Sequence, residues 1–404
     1  MNNVLAPADE AGIAAAVTDA ASAGEPLSIS GNGTKSAMLR PVQAARNLSA
    51  RNHTGITLYS PNELILSARA GTPLPEIEAA LAGHGQHIIA EPPDLSSIYD
   101  VTRPQTQTLG GVIATNLSGP RRVAWGAMRD HVLGIRAVTG RGEVIHSGGR
   151  VLKNVTGLDL CKLFTGSHGT LGVITEITLK VLPAPEAVGT LLLAGLNAQA
   201  GVAMLSAALG SPFGVSAAAW LPAEGSLCIP RLAGIGRSVG LLRIEDFASS
   251  VAYRTARLRE LLGHAGSEIL DDGSSREIWR AVGDLAPLDV ARNAAVWRVS
   301  VRPSAGPAVL AAVVDGFDAN GFLDWGGGLV WIAGPSTQAA HASVVAAATA
   351  AGGTWMLMRA AESLRAAVQV IPPEPEPMAR ITRRVKAALD PHAILNPGRM
   401  YAGL

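Results

Sequence analysis

Gly166-Ser-His-Gly169-Thr-Leu-Gly172 runs without a break into Val173-Ile-Thr-Glu-Ile-Thr-Leu179. The alternating β-branched and polar residues predict a strand. The glycines supply the positive φ and close backbone approach of a turn that meets a ligand. Leu27-Ser-Ile-Ser30 followed by Gly31-Asn-Gly33-Thr34-Lys35-Ser36 shows the same pairing of strand and glycine turn, now with a lysine. Two such turns in one chain suit a large anionic cofactor.

Several phosphate cradles compete for the first turn. A Walker A loop needs a contiguous Gly-Lys-Ser/Thr, and Thr34 separates Gly33 from Lys35. A dinucleotide fingerprint needs a glycine where Ser36 stands and an amphipathic helix afterwards, which Pro41 interrupts. Two readings remain: a nest of successive N–H groups with Thr34 and Lys35 beside it, or a plain structural turn.

Composition narrows the class. Charged residues make up 16% of the 404, with a net charge of +1 and no basic run interleaved with aromatics, so no nucleic-acid partner is expected. Cys161 and Cys228 have no metal-ligand spacing and read as small hydrophobes in a reducing compartment. Met1 to Glu10 lacks a basic start and an apolar core, so no signal peptide is expected. The stretch from Ala187 to Ala223 carries no charge, yet it is punctuated like a soluble βαβ or split βαβ unit. Val188–Leu196 reads as a strand, Asn197 as an N-cap, Ala198–Leu209 as a helix, Gly210-Ser-Pro212 as its stop and Phe213–Leu221 as a second strand.

Three zones follow. Residues 1–183 join glycine turns to short strands, 184–371 alternate strands with Ala-rich helices, and 372–404 form a C-terminal segment. The middle zone repeats its element order. Strand Val239–Ile244 and helix Ser250–Gly263 close a first half. Strands at Ala295–Val301, Gly328–Ala333 and Thr354–Met358, with helices Pro307–Ala319 and Thr337–Ala351, make a second. The expected class is α+β, a ferredoxin-like antiparallel sheet covered by helices on one face. Pro372–Pro377 reads as a stiff linker into a helix on which Met378, Ile381, Val385 and Leu389 recur at helical spacing. Arg380, Arg383, Arg384 and Lys386 between them read as a solvated face or as a partner surface.

Further motifs occur in a fixed order: Pro92-Pro93-Asp94, Thr108-Leu-Gly110-Gly111-Val-Ile-Ala-Thr115-Asn116-Leu-Ser118-Gly119, Trp125-Gly126-Ala-Met-Arg129-Asp130, and the Gly166–Gly172 turn. This succession resembles the FAD-binding domain of the vanillyl-alcohol oxidase/p-cresol methylhydroxylase (PCMH-type) family over roughly Ala11 to Pro183. Asn396-Pro-Gly398-Arg399 is a closing turn typical of it. The resemblance implies a two-lobed FAD-binding domain plus a cap. It implies FAD contacts from Gly31, Asn32, Gly33, Thr34 and Lys35, from Pro93, and from Thr108, Gly110, Gly111, Thr115 and Ser118. Gly166, Gly169, Thr170, Gly172 and Ile174 would lie along the rest of the cofactor. The first loop has no histidine for covalent attachment, so non-covalent FAD is expected.

Within the family, Gly119-Pro-Arg121-Arg122, Val151-Leu-Lys-Asn154-Val-Thr-Gly157-Leu-Asp159-Leu and Asp324-Trp-Gly326-Gly-Gly328 resemble the glycolate oxidase E-subunit branch. That branch implies a D-type flavoprotein subunit and an iron–sulfur F subunit as partners, and glycolate or another small 2-hydroxy acid as substrate. It implies a cytoplasmic protein, peripheral at the inner face of the membrane through its complex. The segments His-x-Gly-Asp-Gly-Asn-x-His and Gly-Glu-His-Gly, which hold a metal and the base in catalytic relatives, are missing, so no metal is expected. His168, where relatives often carry glutamate, is the one histidine with a catalytic case; a turn residue near the flavin is the alternative. Arg121, Arg122 and Arg129 could grip a carboxylate, a neighbouring subunit or an ordinary acidic partner. The readings left open are a redox subunit that works in its complex, a non-catalytic assembly subunit, and a stand-alone dehydrogenase.

Overall fold

The computed structural model describes residues 4–99, 106–149 and 158–404; the Val151–Gly157 run lies outside the described residues. The chain begins with a small parallel sheet in the order Val4–Leu5, Arg46–Ser49, Leu27–Ser30. Helix Glu10–Ala23 packs on it. Asp9 caps the helix by accepting from the Gly12 N–H, and Gly24 ends it in the left-handed region. Ile13, Val17 and Ala20 recur on one face and are fully buried with Leu27 and Leu48.

A five-stranded antiparallel sheet follows, in the order Ile56–Ser60, Ile65–Arg69, Val173–Lys180, Val132–Val138, Val144–Gly148. Val173–Lys180 is the strand expected after the glycine turn, and it lies at the centre. Its Ile177 and Leu179 meet Leu109, Val112 and Ile113 of helix Leu109–Thr115 and Phe164 of helix Leu160–Phe164 in one core. The turn is therefore held by a strand paired on both sides and cannot slide.

The cap is one eight-stranded antiparallel sheet, in the order Ser267–Leu270, Ala187–Ala194, Val239–Asp246, Val215–Leu221, Asn320–Asp324, Leu329–Pro335, Ala294–Ser300, Thr354–Arg359. The duplicated element order becomes two four-stranded halves joined edge to edge through Val215–Leu221 and Asn320–Asp324, where Trp220 pairs with Leu323. Asn197 caps helix Ala198–Leu209 as its type predicts. Strands Ser267–Leu270 and Asn320–Asp324 and helix Asp272–Gly283 were not legible. The two strands are short and partly polar, so their place at a sheet edge or centre comes from pairing rather than from periodicity.

Successive strand residues face opposite ways, so the register assigns the cap's two faces. Trp297 points to the helices, and its indole N–H donates to His341 Nδ1 on helix Gln338–Ala350 at 3.1 Å. Arg298 therefore points the other way, together with its cross-strand partners Trp331 and Met356 and, through Trp331, Phe322. Arg243 and Asp324 share this face, which covers the first part of the chain and on which helix Asp272–Gly283 also packs through Trp279, its ring 5.0 Å from the Arg243 guanidinium.

The C-terminal segment corrects one expectation. Helix Glu376–Leu389 starts inside the proline run, with Pro377 in the first turn where no N–H is needed. Arg380, Arg383 and Arg384 are exposed, but Lys386 is buried, with Nζ on Asp390 (2.6 Å) and the carbonyls of Thr170 (2.7 Å) and Leu395 (2.9 Å). Met378 and Ile381, at core spacing, are instead exposed. Beyond the helix, Leu395 pairs in parallel with Leu27. No described helix is long and apolar enough to cross a membrane.

Candidate functional site

Three chain segments meet around a cavity of about 310 Å³, within the ~300–1,000 Å³ typical of small-molecule sites. One wall is the turn Gly31 to Ser36. A second is Thr108, Gly110, Gly111 and Thr115. A third is His168, Gly169, Gly172 and Ile174. The two glycine segments interlock. A Cβ on Gly31 would sit 2.2 Å from Thr108 Oγ1, and one on Gly110 would sit 2.8 Å from Ala70 Cβ and 2.9 Å from its carbonyl. Any larger residue at either place would push the walls apart.

The closing turn locks the walls together. Asn396 accepts the Ile29 N–H through Oδ1 (2.8 Å) and donates through Nδ2 to the His168 carbonyl (2.8 Å). Arg399 donates to the carbonyls of Lys35 (2.9 Å), Ser36 (2.9 Å) and Arg40 (3.1 Å), fixing the far side of the first turn. Lys35 is buried, with Nζ on Gln107 Oε1 (2.9 Å) and Thr34 Oγ1 (3.3 Å). Burial pulls its pKa down to about 8, opposed by the charge of Asp94.

His168 lies on the cavity wall with φ of 52°, its N–H bound to the Ala114 carbonyl at 2.8 Å. Burial, and secondarily the Arg399 guanidinium, push its imidazole down to about 3. It is neutral near pH 7, so it offers this wall no cation.

Of the predicted contacts, Pro93, Ser118, Gly166 and Thr170 do not line this cavity. Ser118 Oγ accepts the Met128 N–H (2.8 Å). The Gly166 N–H goes to Ile113, and Thr170 offers its carbonyl to Lys386. Pro93 lines a second cavity, of about 440 Å³, beside Glu91, Arg121, Arg243 and Glu245. Glu362 and Arg365 line the first cavity without having been foreseen. They arrive from the end of the cap, where no local motif marks them. Arg399 was foreshadowed by its turn, but not by a role.

The arginines after Gly119 divide in function. Arg121 pairs with Glu245 (2.6 Å) and Glu91 (3.2 Å), and Arg243 pairs with Glu91 (2.8 Å), so two cations and two anions clamp the cap to the first part of the chain. Burial raises the Glu245 carboxyl, but Arg243 and Arg121 outweigh it and leave the pKa at about 2. Arg129 is exposed. Arg122 lies over the Trp325 ring, 4.6 Å from its centroid. Among the other histidines, His341 is taken up by Trp297 and His264 by the Ala194 carbonyl (2.8 Å).

The first cavity fits FAD on the chemistry of its donors. Among the described residues, the N–H groups of Asn32, Gly33, Thr34 and Lys35 have no protein acceptor. Four unspent donors beside a buried lysine match a pyrophosphate, whose oxygens take several short hydrogen bonds.

Comparison with known proteins agrees. A family model described as FAD binding domain matches residues 1–148. Glycolate oxidase subunit GlcE of Escherichia coli K12 is 34% identical over 388 residues, 96% of each chain. Glycolate oxidase subunit GlcD of Bacillus subtilis is 44% identical over 101 residues, 25% of this chain and 20% of its own. The solved 4-ethylphenol oxidase of Gulosibacter chungangensis superposes with a TM-score of 0.71 at 15% identity, over 99% of this chain and 89% of that one, and shares the fold. The chain belongs to the glycolate oxidase subunit GlcE family of FAD-dependent oxidoreductases.

Proposed function

We propose that this chain is the FAD-holding redox subunit of a glycolate oxidase complex. In it, glycolate gives up a C2 hydride and its hydroxyl proton to become glyoxylate, and the electrons pass to the respiratory chain. Its partners are a D-type flavoprotein subunit and an iron–sulfur F subunit, through which it sits peripherally at the inner face of the membrane. The similarity to GlcE over nearly the whole of both chains carries this reading.

FAD, when bound, supplies the two-electron acceptor. The chain's own residues do the holding. The N–H groups of Asn32 to Lys35 and the Lys35 ammonium would receive the two phosphates, with Gly110 and Gly111 leaving room for the dinucleotide beside them. Asn396 and Arg399 keep the walls at their spacing, and the neutral His168 leaves the polar contacts to backbone. Residues 1–183 form the FAD-binding domain, 184–371 the cap and 372–404 the returning segment.

An assembly role without turnover is the second reading. It is favoured by the occupied histidines: His341 and His264 are spent on Trp297 and Ala194, and His168 is neutral and enclosed. Purification with and without the partner subunits decides between the two. Flavin absorbance that bleaches with glycolate only in the complex is expected. A colourless chain that takes up no FAD overturns the redox reading, and bleaching by the isolated chain points to stand-alone chemistry.

A further inference from the structure

Two guanidinium groups converge on one indole where the cap meets the segment after Gly119. Arg122 lies 4.6 Å and Arg298 5.0 Å from the Trp325 ring centroid. They come from different parts of the chain: Arg122 from the turn of helix Arg122–Trp125, Arg298 from the face of the cap sheet opposite Trp297. The indole is fixed in place. Its N–H donates to the Gly119 carbonyl (3.2 Å), its backbone N–H to Asp324 Oδ1 (2.7 Å), and its φ of 52° is held by the glycine turn that follows. A bulky residue kept in the left-handed region is strained, and such strain persists where surrounding structure imposes it.

Neither arginine has an anionic partner among the described residues. Among the described residues, no ion pair or hydrogen bond engages either guanidinium, whereas Arg121 and Arg243 a short way off are fully paired. Asp130 and Asp324 act on them through space only, and each has an oxygen on a backbone N–H, of Ala127 and Trp325. Stacking on an indole offsets part of a guanidinium's desolvation, by about 0.5–2 kcal/mol, and leaves its in-plane N–H fork free. Such a fork matches a carboxylate. Each residue keeps part of its surface open, while burial pulls the Arg298 guanidinium down to about 10 and lowers that of Arg122, so an anion that met them would relieve this cost.

We infer that Arg122 and Arg298, set against Trp325, form a binding site for the carboxylate of a small organic acid of two or three carbons. This rests on the glycolate oxidase reading for its biological ligand, and it assigns that ligand's anionic end to residues from both parts of the chain. The segment from Thr115, on the wall of the FAD cavity, to Arg122 connects the two sites directly.

The test is calorimetric titration of the full chain with glycolate and with oxalate, its unreactive analogue. Saturable binding is expected in the wild type. Arg298→Met and Arg122→Met each weaken it by about tenfold or more, as the loss of a charge-assisted hydrogen bond requires. Arg298→Lys, which keeps the charge without the fork, falls between, and it carries the test if the methionine variants fold poorly. FAD affinity, followed by flavin fluorescence, stays unchanged in all of them. Absence of saturable binding to the wild type overturns the inference. So does unchanged oxalate affinity in the variants, including the case where they lose a partner subunit instead. A failure to bind FAD counts against the functional reading alone, because this titration needs no flavin.

Discussion

Asn396 Nδ2 lies 2.8 Å from the His168 carbonyl, while its Oδ1 takes the Ile29 N–H at 2.8 Å. One buried amide thus ties the C-terminal segment to the strand before the first glycine turn and to the turn before the central strand. Asn396→Ala leaves both backbone groups without this partner, at a cost of about 1–3 kcal/mol for each buried group. A lower melting temperature and weaker FAD uptake are expected together, measured by thermal denaturation with and without added FAD. Asn396→Asp, which keeps the acceptor but not the donor, is expected to lose less.

Gly110→Ala tests the interlocking of the cavity walls. The new Cβ would meet Ala70 backbone and side chain at under 3 Å, and backbone cannot yield as a flexible side-chain end can. Loss of FAD absorbance in the purified protein is the expected outcome. Gly24→Ala is the control: Gly24 is left-handed but faces open space, so only about 1 kcal/mol of stability is lost and the flavin stays.

Glu245 binds Arg121 and Arg243 between the cap and the first part of the chain. Glu245→Leu leaves buried guanidinium charge short of a partner, and a loss of about 3–5 kcal/mol is expected in denaturant unfolding. Arg121→Met combined with Glu245→Leu is expected to lose less than the two single losses summed. Glu245 is held at about 2, below the ordinary ~4.3 for a glutamate, so its contribution is full above the ordinary value. Stability should therefore decline as pH falls from about 4.3 towards about 2, and this decline should shrink in the variant.

Asp324 carries the opposite sign. Burial pushes its carboxyl up to about 7, against the ordinary ~3.9. The folded state therefore holds a proton that the unfolded state releases. The stabilising contribution is complete below about 3.9 and is lost as pH rises through about 7. Asp324→Asn keeps an acceptor for the Trp325 N–H and should flatten this slope, read from melting temperatures across pH 4 to 8.

Lys35 tests the anion site directly. With a pKa of about 8, its ammonium is lost as pH rises through that value, so FAD affinity should weaken above it. In Lys35→Met the affinity should be lower below that pH and the pH dependence gone, measured by flavin fluorescence titration.

The glycine turn before Val173 and the alternation of Val173 to Leu179 could be read directly, because positive φ and a two-residue period leave marks on neighbouring residues. Asn197 and the helix it caps were legible for the same reason. So were the two halves of the cap, whose strands and helices recur in one order. Local chemistry specifies those elements without reference to any distant residue.

Burial and pairing across distance left no such mark. Lys386 shares its spacing with exposed arginines, and only the fold brings Asp390, Thr170 and Leu395 around it. Arg121 and Arg122 are neighbours in one motif, yet one is clamped by Glu91 and Glu245 and the other is left against Trp325. Arg298 joins that indole only because the cap register turns it away from Trp297 and helix Gln338–Ala350. Glycine turns and periodicity are written into adjacent residues. Which charges meet and which stay unpaired depends on how two distant parts of the chain pack, and that only the tertiary structure decides.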